Sequence, residues 1–242
     1  MKPLIALISC HARQAYADVQ RSTWIPRIPE GVDYKFFRGR GAQRETLADE
    51  IFLDCDDSYE GIPNKVQEVM RWSLAHGYDF TLKCDDDVLL LPEKFSRSGF
   101  ERFDFVGNII GDGGQSMVPW GFCWVLSRRS MEVICNSPLP TGPTKFVIHP
   151  EHVVDIEARN DEFWVASTLL RYGIRLTSDE RYRTHKVGDA ELLASLTRPN
   201  GPLLYPEADP TVFAYCMFYE QGKKSSDEEN LSEMKKIWER LR

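Results

Sequence analysis

The stretch YDFTLKCDDDVLLL, residues 78–91, sets three consecutive carboxylates, Asp85, Asp86 and Asp87, into an otherwise apolar run. Like charges this close repel, so the triplet costs stability unless it sits in water or shares a cation. At the tip of a buried strand, a D-x-D pattern suits a hard divalent ion such as Mn²⁺ or Mg²⁺ and, through it, a phosphate-bearing ligand. Acidic triplets also occur in solvated loops, and that reading stays open at this point. A second acidic pair, Asp161-Glu162, opens the run DEFWVASTLLRYGI. The dipole and free N–H groups of a helix N-terminus favour negative charge, and capping alone accounts for the pair. Facing a metal–diphosphate site, a carboxylate there would suit a general base.

The elements that must position these groups alternate. LIALIS reads as a strand, RQAYADVQRSTW as a helix closed by Pro26, VDYKFF and EIFLDC as two more strands. IPNKVQEVMRWSLAHG is predicted as a helix, with Pro63 near its start, Gly77 after its end and Val66, Val69, Met70 and Leu74 at helical spacing. YDFTLKC is the next strand. Such alternation signals a parallel α/β sheet, whose ligand site lies outside the carboxyl ends of the strands. Asp85–Asp87 and Ser9–Arg13 both fall at such ends.

Further along, RFDFVGNII and VPWGFCWVLS read as strands around the glycine-rich loop GDGGQS, and RRSMEVIC as a short helix capped by Ser127. NSPLPTGPTKFVIHP reads as irregular, residues 161–172 as a helix ended by Gly173, IRLTS as a short strand and residues 188–212 as loop-rich. The tail SSDEENLSEMKKIWERLR starts with a capping box, Ser226 and Glu229. Its stripe of Leu231, Met234, Trp238 and Leu241 is predicted to dock on the domain.

With 242 residues, 42% of them hydrophobic and 28% charged, the chain is long enough for one domain with a well-buried core. A net charge of −7 argues against a nucleic-acid partner and against a polybasic membrane surface. No apolar run approaches the ~20 residues of a membrane span, and Leu4–Ile8 is too short for a signal peptide, so a soluble, cytoplasmic protein is expected. The six cysteines show no CxxC spacing and are expected to be buried free thiols.

Taken in order, the motifs resemble those of the β-1,3-glycosyltransferase family, which holds the β-1,3-galactosyl- and N-acetylglucosaminyltransferases and the Fringe enzymes. Its R-x-T-W appears as Arg21-Ser22-Thr23-Trp24 and its F-x-x-G as Phe36 to Gly39. DSYEGIPNKV keeps Asp57, Tyr59 and Lys65 of a further motif, and K-x-D-D-D-V is matched from Lys83 to Val88. PWGFCWVLS resembles the family's P-x-x-x-G-x-x-Y-V-L-S, with Trp124 where Tyr is usual. The family's Glu-Asp helix aligns with DEFWVASTLLRYGI, placing Glu162 where the catalytic Asp is expected. The resemblance spans Arg21 to Ile174.

What the resemblance implies is an α/β protein of GT-A type, the nucleotide-diphospho-sugar transferase fold, with a mixed central sheet flanked by helices. It implies one domain over 1–242, with a nucleotide-binding half at about 1–90, an acceptor-binding half at about 91–220 and a C-terminal helix over 226–242. The activity implied is inverting and Mn²⁺- or Mg²⁺-dependent, moving a hexose or N-acetylhexosamine from a UDP-sugar to a glycan or glycolipid hydroxyl, with a β-1,3 linkage. Asp87 is then the main metal ligand, Asp85 contacts ribose or, through water, the metal, Asp86 is a further candidate for holding the nucleotide, and His185 is the candidate to complete the metal shell. Glu162 is the base, with Asp161 as the fallback. Arg13, Arg21, Asp57, Lys65 and Lys83 are candidates for holding the nucleotide. Trp120, Phe122 and Trp124 are candidates to line a sugar subsite, although alternation along a strand makes plain core packing an equal account of them. The GDGGQSMV loop is a candidate cover that excludes water.

Two other readings compete. A nucleotidyltransferase or phosphohydrolase would share the metal–diphosphate site, but no phosphate loop of G-x-x-x-x-G-K type occurs. A non-catalytic nucleotide-sugar or glycan-binding module would keep the fold without the base.

Overall fold

A computed structural model describes residues 1–41, 45–109, 118–141, 144–149, 152–156, 161–179, 182, 184–186, 214–216 and 227–241. The first half is β1 (Pro3–Ile8), α1 (Gln14–Ser22), β2 (Asp33–Arg38), β3 (Glu50–Phe52), α2 (Ile62–Ala75) and β4 (Phe80–Asp85). After these come α3 (Pro92–Phe95), β5 (Phe105–Ile109), β6 (Pro119–Ser127), α4 (Arg128–Cys135), β7 (Thr144–His149), β8 (His152–Ile156), α5 (Asp161–Arg171) and β9 (Thr177–Ser178). Two short strands, β10 (Thr184–Lys186) and β11 (Ala214–Cys216), pair with each other in parallel, and a C-terminal helix spans Asp227–Leu241.

Seven strands form one mixed sheet in the order β3-β2-β1-β4-β6-β5-β9. β1 runs parallel to both β2 and β4, and Ile8 lies opposite Phe37 on one side and Asp85 on the other. The carboxyl ends of three strands therefore meet at one edge. β6 is antiparallel to β4, so the pairing changes direction at the strand that carries the acidic triplet.

Strand alternation divides the core between two faces. Ile5 and Leu7 of β1 pack with Tyr16, Val19 and Trp24 on the α1 side, together with Met234 and Trp238 of the C-terminal helix. Leu4, Ala6 and Ile8 face Val66, Val69 and Met70 of α2, Met131 and Ile134 of α4, and Trp164, Val165 and Leu169 of α5. Gly77 and Gly173, the expected helix terminators, take φ of +76° and +74°, a left-handed conformation that costs glycine nothing.

Cys55, Cys84 and Cys123 are buried free thiols, whereas Cys10 and Cys135 are only partly buried. The segment read as irregular before residue 150 contributes a strand, since β7 pairs antiparallel with β8 from Thr144 opposite Ile156 to His149 opposite His152. Among the described residues no helix is long and apolar enough to cross a membrane. Ser226, the whole loop-rich segment over 188–212 and residues 111–117 of the glycine-rich loop lie outside the described residues.

Candidate functional site

β4 delivers Asp85 at its last position, and the chain turns so that Asp86 and Asp87 are buried while Asp85 stays partly exposed. The turn is held from α1. Gln20, itself fully buried, donates from its Nε2 to the carbonyls of Asp86 at 2.6 Å and Val88 at 3.2 Å, and more loosely to that of Asp85 at 3.4 Å. Buried carbonyls need such donors, and here one side chain serves the turn. Gln20 is absent from the sequence-based expectations, because a lone glutamine within a helix carries no signal of its tertiary partner.

Two cations answer the repulsion in the triplet. Arg13 reaches across from the end of β1, its Nε 3.0 Å from Asp86 and its Nη2 3.1 Å from Asp87. Lys83, only 1% exposed, places its ammonium 2.7 Å from Asp85 and 3.5 Å from Asp161 at the first turn of α5. Burial alone would lower the Lys83 pKa, but Asp161, Asp85 and Glu162 together raise it above its ordinary value, so the ammonium stays charged. Burial raises the Asp85 and Asp86 carboxyls, opposed by Lys83 and Arg13 respectively and reinforced by Asp87. Glu162 is pushed up to about 8, first by burial and then by its neighbour Asp161, against the pull of Lys83.

A second network braces the rim. Asp57 Oδ1 accepts from Lys65 Nζ at 2.7 Å and from Gly39 N–H at 2.6 Å, while Oδ2 accepts from His11 N–H at 2.7 Å. Lys65 also donates to the Ser9 carbonyl at 2.8 Å. Burial would raise the Asp57 carboxyl, yet these bonds hold it below its ordinary value. Lys65 is buried with its ammonium directed at these two acceptors, so it ties α2 to the ends of β1 and β2. Gly39 belongs to this brace sterically, since a Cβ there would lie 2.7 Å from both Asp57 N and Cys55 O.

The remaining expected residues divide. Arg21 is directed elsewhere, to Asp49 at 2.8 and 3.0 Å, Glu50 at 3.0 Å and Asp18 at 2.9 Å, over the Phe36 ring. Those partners hold its guanidinium in an acidic cluster formed with β3 and the residues before it. Trp124 has no exposed surface and meets Phe105 edge-on in the core, so of the two readings for that residue the packing one describes it. The side chains of Trp120, Phe122 and His185 lie outside the described residues, although the backbone of His185 pairs with Tyr215.

The donor set suits a hard cation. Asp87 Oδ1 is buried and has no hydrogen-bond partner, an orphaned anionic oxygen of the kind that a divalent ion satisfies. Among the described residues no three His, Cys, Asp or Glu side chains form a ready cage. Mg²⁺ is usually held by one or two carboxylates that share the ion with water and substrate phosphate, so Asp87 and Asp85 would be the residues to hold it.

No protein-family model matches the chain, and no curated protein matches it either. Among solved structures, it is similar to a crystal structure of an active-site mutant of LgtC, a glycosyltransferase of GT-A fold, at 12% sequence identity and a TM-score of 0.50. The match covers 97% of this chain and 95% of that one. The fold is of GT-A type, a mixed α/β sheet flanked by helices.

Proposed function

We propose that the chain is a metal-dependent inverting glycosyltransferase that moves a hexose or N-acetylhexosamine from a UDP-sugar to a glycan hydroxyl. The observation that carries this reading is that Lys83 joins the strand-end triplet to the mouth of α5, at 2.7 Å from Asp85 and 3.5 Å from Asp161. Metal-type carboxylates and a candidate base thus share one site at the carboxyl edge of the sheet, where α/β folds bind ligands. The GT-A fold supports the transferase class. The UDP donor and the β-1,3 linkage rest on the motif resemblance.

In this reading Asp87 and Asp85 hold Mn²⁺ or Mg²⁺, which when bound neutralises charge on the leaving diphosphate. Glu162 takes the proton from the acceptor hydroxyl as its oxygen bonds to the anomeric carbon. The bond from that carbon to the diphosphate oxygen breaks, and attack from the opposite face inverts the centre. A carboxyl raised to about 8 by burial is a stronger base than a solvated one, which suits that task. Lys83 keeps Asp161 and Asp85 compensated while charge moves through the site. Asp57 and Lys65 fix the backbone around Ser9, His11 and Gly39, the rim against which a nucleotide would lie.

The test is transfer from radiolabelled UDP-galactose and UDP-N-acetylglucosamine to a panel of glycan acceptors with Mn²⁺. Product with inverted anomeric configuration, lost on Glu162→Gln while UDP binding persists, supports the reading. Metal-dependent UDP binding without turnover on any acceptor would point instead to a nucleotide-sugar-binding module, and absence of nucleotide binding would remove both.

A further inference from the structure

Arg13 departs from β1 through the short turn His11–Arg13 and meets two carboxylates rather than one. Nη2 donates to Asp87 Oδ2 at 3.1 Å. Nε is 3.0 Å from Asp86 Oδ1, yet the Nε–H is not aligned for a hydrogen bond. Asp87 keeps its second oxygen, Oδ1, buried and without a hydrogen-bond partner, while the Asp86 carboxylate has the Ser9 hydroxyl beside it. A guanidinium usually binds one carboxylate through two parallel bonds. Here it spans two carboxylates and saturates neither, which compensates charge without filling the site.

What holds Arg13 is not a further anion. Its guanidinium carbon lies 4.1 Å from the centre of the Tyr16 ring, a cation–π contact. Tyr16 is buried and clamped from the C-terminal helix, donating to Asp227 Oδ1 at 2.9 Å and accepting from Asn230 Nδ2 at 3.1 Å. Among the described residues the ion-pair partners of Arg13 are Asp86 and Asp87 alone. A ring face steers a cation without competing for its charge, so Arg13 is held over the triplet and still free to give up Asp87.

We propose that Arg13 is a resident counter-cation of the acidic triplet, positioned by Tyr16, that neutralises Asp86 and Asp87 in the free protein and competes with a divalent ion for Asp87. This rests on the reading that Asp87 binds such an ion. Free metal then binds weakly, because it must displace a cation already present. Tight binding comes with the donor, whose diphosphate adds two anionic partners for the ion and the displaced guanidinium. The ion would thus enter with the nucleotide rather than ahead of it.

The experiment compares Arg13→Met in the natural background and in an Asp86→Asn/Asp87→Asn background, by thermal melting without metal and by Mn²⁺ titration followed by electron paramagnetic resonance. In the natural background Arg13→Met should lower the melting temperature by roughly 10 °C, the scale for leaving buried carboxylates unpaired. In the amide background it should lose less than half as much. Equal losses in the two backgrounds overturn the counter-cation role. With Mn²⁺ alone, Arg13→Met should bind about tenfold or more tighter than the natural protein, the direction Coulomb's law requires when a neighbouring cation is removed. Natural protein that binds Mn²⁺ with an affinity unchanged or weakened by Arg13→Met overturns this inference while leaving the metal site intact. No Mn²⁺ binding by either protein, with or without UDP, overturns the metal reading and this inference with it. If Arg13→Met does not fold, Arg13→Gln takes its place, since it removes the charge and leaves an amide that can still donate to one carboxylate. A severalfold rise in Mn²⁺ affinity is then expected, and no rise overturns the inference.

Discussion

Lys83 and Asp161 stand 3.5 Å apart, although one lies within a central strand and the other on the first turn of a helix 78 residues further along the chain. That ion pair fixes the mouth of α5 against the strand carrying the triplet. Replacing Lys83 with Met leaves the buried Asp161 and the partly exposed Asp85 without their shared cation. A loss of about 3–5 kcal/mol is expected, read from urea denaturation at neutral pH. The loss should shrink when Asp161 is also changed to Asn, since a neutral amide no longer needs the ammonium.

Glu162 has a pH signature. Its carboxyl is raised to about 8, and a general base acts only when ionised, so kcat/KM should climb with pH and level off above about 8. The stability effect runs the other way. Between the ordinary carboxyl range and pH 8 the folded state holds a proton that the unfolded chain has released, so this group's contribution weakens as pH rises through that window. Glu162→Gln should therefore lower transfer by about 10²–10⁴-fold, flatten the ascending limb and raise the melting temperature at pH 8.5 relative to the natural protein. A mutant with natural turnover would place the base elsewhere.

Gly39 tests the brace beneath the rim. A methyl group there meets backbone rather than a movable side chain, at 2.7 Å from Asp57 N and Cys55 O. Gly39→Ala is expected to cost about 3 kcal/mol by overpacking and to loosen the Asp57–Lys65 link. Thermal melting reads the first effect, and faster amide exchange at His11 and Gly39 neighbours reads the second. Asp57→Asn should reproduce the exchange change without the clash.

How far these relationships were legible depends on whether the partner lies nearby in sequence. The triplet at a strand end and the acidic pair at a helix mouth follow from local pattern, because an apolar run and a helical period fix where each carboxylate emerges. Lys83 sits two residues from Asp85, so its nearness was also visible. The distant partner Asp161 was not, since only the sheet order and the seating of α5 bring it within reach. Arg21 looked like a basic residue near a strand end, but Asp49, 28 residues away, takes its guanidinium. Trp124 had two accounts from alternation alone, and burial against Phe105 favours one of them. The β7 strand was obscured by Pro138, Pro140, Pro143 and Pro150, which punctuate its surroundings as a loop would.

Gln20 shows the same limit and offers a direct test. Its side chain supplies donors to the carbonyls of Asp86 and Val88 from a helix that packs against their turn. Gln20→Leu keeps the bulk and removes the donors, leaving buried carbonyls unmet at a cost of about 1–3 kcal/mol. Amide exchange over residues 85–89 should quicken, and metal-dependent UDP binding should weaken with it. Unaltered exchange there would show that the turn is fixed by its own backbone.

The C-terminal helix is predicted to be an integral part of the fold rather than a tail awaiting a partner. Met234 and Trp238 are buried in the α1-side core, Arg27 lies over the Trp238 ring at 5.4 Å, and Asn230 bonds to the Tyr16 hydroxyl. A helix held only by apolar contact could slip, but the polar link to Tyr16 fixes its register on α1. Trp238→Ala should thus cost about 3–5 kcal/mol as a core truncation, and Tyr16→Phe about 1 kcal/mol through its lost hydrogen bonds. Because Tyr16 also carries the ring beneath Arg13, Trp238→Ala should disturb Mn²⁺ affinity as well as stability. Urea denaturation and Mn²⁺ titration of the same samples separate the two effects: unchanged stability in Trp238→Ala means the helix is not docked, whereas lost stability with unchanged Mn²⁺ affinity means Tyr16 holds Arg13 without its help.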